Sequence, residues 1–182
     1  MAAEIEDPEL FGKNLVMRRV VTSALGSDSV TISDTLENRG TRAENYCLLY
    51  HVNIGYPFLD DGVKILSDAE DVIPRTHWAE LDLKHRTTFR AQAENEEERC
   101  FFVKNKTPHI EAVNERLGRK VVLDYSGDTL PCLVQWNSNA AGDYALGLEP
   151  CTEYLDERFR YNVLPPRCNV RFFVTVSVRD LK

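Results

Sequence analysis

No stretch of this chain keeps the roughly 3.6-residue apolar period of a helix; short apolar runs alternate with turn signals instead, and that pattern confines the chain to strands. Leu15 to Val21, the turn chemistry of Ala24 to Asp28, and the rough period of two through Val30, Ile32, Thr35 and Leu36 read as a hairpin. After a second turn at Asn38-Arg39-Gly40, the stretch Asn45 to Ile54 is dense enough in Tyr, Leu, Val and Cys to be one strand buried on both faces. Tyr56-Pro57 ends it, because proline lacks the amide hydrogen a central strand must donate, and Asp60-Asp61-Gly62 turns the chain. Val63 to Glu98 is harder to read, with a short strand expected over Thr87 to Gln92. Cys100 to Val103, Ile110 to Leu117 and Lys120 to Tyr125 then follow at about the 8–12 residue spacing of sheet proteins, and Leu130 to Trp136, Tyr144 to Leu148 and Val170 to Val178 complete the set.

Roughly ten strands without helices must solve their edges by closing a barrel or stacking two sheets. The last run favours stacking. Phe172, Val174, Val176 and Val178 fall on one face and Arg171, Phe173, Thr175 and Ser177 on the other, the half-buried alternation of a sandwich strand. The expectation is an all-β chain forming a single β-sandwich domain over residues 1–182.

The formal net charge of −7 leaves no broad basic surface for nucleic acid or an anionic membrane. The five cysteines are scattered, with no CxxC pair and no histidine at finger spacing, and read as buried thiols in a reducing compartment. The acidic start and the lack of a long apolar run argue against a signal peptide or membrane span and place the protein in the cytoplasm. GxSxG, Gly-rich phosphate loops and HExxH are absent, so serine hydrolase, nucleotide and zinc-protease readings have no support.

Two stretches put a titratable side chain inside an apolar run: Tyr50-His51-Val52-Asn53-Ile54-Gly55-Tyr56-Pro57 and Asp143-Tyr144-Ala145-Leu146-Gly147-Leu148-Glu149-Pro150. Burying such a group is costly unless it is paired, so each needs a structural partner or a chemical task. His51 and Asn53, two apart on a strand, share a face. Burial near a strand end would raise the pKa of Glu149, and Gly147 suggests a close approach to the backbone. Trp136, flanked by Gln135 and Asn137, offers a flat apolar face beside amides, a combination suited to a sugar ring or equally to a core. Asp60 could bind a hydroxyl or serve its turn. His77, His85 and His109 have no partner at metal-ligand spacing, so no metal is implied.

At His51-Val52-Asn53-Ile54-Gly55-Tyr56-Pro57-Phe58-Leu59-Asp60, followed by Leu130-Pro131, Gln135-Trp136 and Gly147-Leu148-Glu149-Pro150, the sequence resembles the galactose mutarotase-like superfamily, in its aldose 1-epimerase-like branch. The resemblance implies part of a β-supersandwich whose open cleft holds a hexose and interconverts its anomers without a cofactor. It implies Glu149 as general base and His51 as general acid, with Asn53, Gln135 and Trp136 lining the cleft, and Asp60 is kept beside them as a sugar-binding candidate from its own turn. It runs from about Phe11 to the end and is similar to the C-terminal half of family members, whose preceding strands would leave edges unpaired when absent. Three outcomes stay open: a shortened isomerase, a homo-oligomer that covers its edges with a second copy, or a non-catalytic sugar-binding sandwich.

Overall fold

β-Branched and aromatic residues alternating with polar ones build strands over much of the chain. The computed structural model describes residues 1–9, 12–157 and 159–181, so Phe11, where the resemblance begins, lies outside the described residues. The first strands are β1 (Ala2–Pro8), β2 (Asn14–Thr22), β3 (Ser29–Asn38), β4 (Glu44–Tyr46) and β5 (Val52–Ile54). β6 (Lys64–Leu66) and β7 (Ala69–Pro74) precede a short helix, α1 (His77–Leu81). Then come β8 (Arg99–Asn105), β9 (His109–Asn114), β10 (Arg119–Tyr125), β11 (Cys132–Ser138), β12 (Ala145–Cys151), β13 (Asn162–Leu164) and β14 (Asn169–Asp180).

Two antiparallel sheets stack as a sandwich. One has seven strands in the order β1-β2-β3-β14-β10-β9-β6, the other five in the order β5-β12-β11-β8-β7, and β13 pairs with β4 in a small third sheet. Between the large sheets lie Ile110, Leu123, Phe172 and Val174 from the first and Phe101, Leu133, Leu146 and Leu148 from the second. Because side chains alternate across a strand, the five-stranded sheet turns Cys100, Phe102, Cys132, Val134 and Cys151 to its other face, where they form a second, smaller apolar cluster. His51, Asn53, Trp136 and Glu149 lie on that second face. No helix among the described residues is long and apolar enough to cross a membrane.

Several expectations change in detail. Asn45 to Ile54 is two strands, since its start pairs with β13 and its end with β12. Only one face of the second part is buried: Tyr50 and Ile54 point into the core, while His51 and Asn53 are exposed. Thr87 to Gln92 is not a strand. Thr87 and Phe89 exchange hydrogen bonds with Val63 and Ile65, too few to extend a sheet. The alternation of β14 holds at Phe172 and Val174 and has ended by Val178, which is exposed.

Candidate active site

β12 lies between β5 and β11, so residues on its second face are flanked on both sides. Leu146 and Leu148 fill the core, which sends Gly147, Glu149 and Cys151 outward. Glu149 is nevertheless only 5% exposed. Its carboxylate lies back over its own strand: a Cβ at position 147 would come within 2.4 Å of Glu149 Oε1 and 3.3 Å of Trp136 Cβ. The close approach foreshadowed by Gly147 is therefore made by Glu149 itself.

Register brings the histidine to this carboxylate. Leu49 bridges Cys151 and Val52 pairs with Leu148, and the same register sets His51 opposite Glu149. His51 Nε2 lies 3.1 Å from Glu149 Oε1. His51 Nδ1 lies 2.8 Å from Asn53 Oδ1, an atom that can only accept, so Nδ1 carries a hydrogen and Nε2 is the nitrogen free to exchange one. Although the Nε2 to Oε1 separation is short, the ring N–H is not aimed at the oxygen, and Oε1 has no hydrogen-bond donor among the described residues. A buried acceptor left open costs about 1–3 kcal/mol.

The cleft above this pair has a volume of about 460 Å³ and is walled by Leu49, Arg75, Cys100, Trp136 and Leu155 among others. That volume falls in the roughly 300–1,000 Å³ range of small-molecule sites. Trp136 stands edge-on to the His51 ring with centroids 6.1 Å apart, and its Nε1 donates to Glu98 Oε2 at 2.7 Å. Burial pushes the Glu149 carboxyl above the ordinary carboxylate range; the charges of His51 and Arg75 act against that rise, and Glu98 adds to it. Arg75 makes no salt bridge among the described residues.

His51, Asn53, Trp136 and Glu149 are thus brought together. Gln135 and Asp60 are not. As the strand neighbour of Trp136, Gln135 points to the opposite face, fully buried, where its Oε1 accepts from Arg86 Nη1 at 3.0 Å and its Nε2 donates to Arg86 O at 2.8 Å. Asp60 pairs with Arg116 and accepts from the Asp61 amide in its turn. Arg75 and Glu98 enter the cleft wall unannounced. The first follows Val72-Ile73-Pro74 and the second ends an acidic run, and neither context differs from that of a solvated charge.

The family profile described as "Domain of unknown function (DUF4432)" matches residues 1–162. No curated protein matches. Among solved structures, the chain aligns with a Klebsiella pneumoniae protein provisionally assigned as an aldose 1-epimerase at a TM-score of 0.90 and 22% identity, over 97% of this chain and 50% of that one. A galactose mutarotase-like protein from Clostridium acetobutylicum aligns at 0.71 and 10% identity, over 99% of this chain and 62% of that one. For a galactose mutarotase-like protein from Lactobacillus casei the values are 0.66 and 12%, over 98% and 69%. These likenesses show the fold, a galactose mutarotase-like β-sandwich, and the chain spans about half the length of the Klebsiella protein.

Proposed function

Because this chain belongs to the DUF4432 family and has the galactose mutarotase-like fold, we propose that it is an aldose 1-epimerase-like isomerase that interconverts sugar anomers with His51 and Glu149. The observation that carries the reading is the 3.1 Å approach of His51 Nε2 to Glu149 Oε1, which has no hydrogen-bond donor among the described residues, with both residues lining the cleft.

Mutarotation needs two proton transfers at two oxygens of one carbon. The Glu149 carboxylate takes the proton of the anomeric hydroxyl while His51, as the imidazolium, gives its Nε2 proton to the ring oxygen; the bond from the anomeric carbon to the ring oxygen breaks and an open aldehyde forms. After rotation about the adjacent carbon–carbon bond, the ring oxygen attacks the other face of the carbonyl. The proton on Glu149 returns to the new anomeric hydroxyl and His51 recovers its own. Since both target oxygens are bonded to the same carbon, an acid and a base on neighbouring strands can reach both. Burial makes the ionised Glu149 a stronger base, and Asn53 holds the imidazole with Nε2 toward the substrate. Trp136 would supply the apolar platform for the ring.

The test follows the optical rotation of freshly dissolved α-glucose and α-galactose with wild-type protein, with Glu149→Gln and with buffer. The reading expects the wild type to speed equilibration and the variant to lose about a hundredfold or more of that gain. Equal rates for all three, across several sugars, contradict it. Sugar-dependent quenching of Trp136 fluorescence without faster equilibration would identify a binding module instead.

A further inference from the structure

Away from the acid–base pair, the second apolar cluster holds Cys132 and Cys151 as directly opposed partners on β11 and β12. Directly opposed residues of an antiparallel pair have Cα atoms about 4.5–5.5 Å apart, inside the roughly 4.4–6.8 Å that a disulfide spans. Both side chains project to the same face, and both thiols are free. We propose that Cys132 and Cys151 are a peroxide-sensitive dithiol, converted by hydrogen peroxide to a cross-strand disulfide and restored by thiol reductants.

Exposure and electrostatics assign the order of events. Cys132 is 9% exposed and Cys151 0%, so peroxide reaches Cys132 first. A hydrogen bond from the partner thiol favours the Cys132 thiolate, while the same contact and burial push Cys151 far up and keep it protonated. The Cys132 sulfur attacks one peroxide oxygen, the O–O bond breaks, and a sulfenic acid forms with release of one water. The Cys151 sulfur then attacks the sulfenic sulfur, displacing its oxygen as a second water and closing the S–S bond. Two thiols lose two electrons and two hydrogens, and one peroxide is reduced to two waters. A dithiol reductant reverses the change by exchange.

Cys47 is the internal competitor. It is exposed, and its Sγ accepts from the hydroxyl of Thr152, the residue after Cys151, at 3.8 Å. The full-length protein is treated with hydrogen peroxide, unfolded, alkylated and analysed by intact mass and peptide mapping, with and without dithiothreitol. The proposal expects loss of two hydrogens, a peptide joining Cys132 to Cys151, and recovery of both thiols on reduction; in Cys132→Ser that linkage is absent. It is overturned if oxygen is added at Cys47 or Cys168 while Cys132 and Cys151 stay alkylatable, or if Cys151 is joined to Cys47. The wild-type map decides the matter even if the serine variant fails to fold.

Discussion

The hydrogen in place of a side chain at residue 147 decides where the Glu149 carboxylate can lie. Any Cβ there would meet Oε1 at 2.4 Å, and since Oε1 is the far end of a flexible side chain, the carboxylate rather than the backbone would yield. Gly147→Ala should therefore fold and change stability by no more than about 1–3 kcal/mol in urea unfolding, the usual cost of added core volume. Its anomer-exchange rate, read by NMR, should fall at least about tenfold as the base leaves His51. Glu149 also links the site to pH. Its folded pKa lies above the unfolded value, so its contribution to stability is present below about pH 4.3 and is lost as pH rises through the folded pKa. Removing the carboxyl removes that loss. In urea unfolding, Glu149→Gln should gain stability relative to wild type at pH 7 and lose that advantage at pH 4; an advantage unchanged with pH contradicts the burial argument.

Among the elements, the chain leading into β5 is held from below. Tyr50 donates its hydroxyl to Asp34 Oδ2 at 2.6 Å, and Asp34, buried in β3, also receives Arg19 Nη2 at 2.7 Å and Nε at 3.0 Å. This anchor ties the segment carrying His51 to the opposite sheet. Tyr50→Phe leaves Asp34 with one donor fewer and should cost about 1–3 kcal/mol, measured as a lower urea midpoint. The sequence carries no sign of that bond, which joins residues on two separate strands. Strands that feed the core were legible because Leu146 and Leu148 alternate with small or polar neighbours and Phe172 and Val174 recur at a period of two. β1 was not: all its residues are exposed, and Glu4, Glu6 and Asp7 read as an acidic tail until Arg18, Arg39 and Lys13 are seen to pair with them. β6 and β7 were hidden for a different reason, since three residues or a bulged strand cannot display a period.

At the scale of the molecule, the site exists because β5 and β12, about a hundred residues apart in sequence, lie side by side in one sheet. Both motifs were visible as apolar runs interrupted by a titratable residue, and that interruption was the legible part of the site. Which side each neighbour takes was not. Gln135 and Trp136 look equally suited to a sugar, yet strand alternation sends one to Arg86 and the other to the cleft. Arg75 and Glu98 reach the cleft through β7 and the lead into β8, whose partners are set by the sheet order. The central claim is that His51 and Glu149 act as one unit on a single sugar. It is tested most directly by measuring anomer exchange for wild type, His51→Asn, Glu149→Gln and the double variant. Residues acting as a unit lose their effect together, so the double variant should be about as slow as the slower single one. Losses that multiply, or single variants as fast as wild type, would contradict the account.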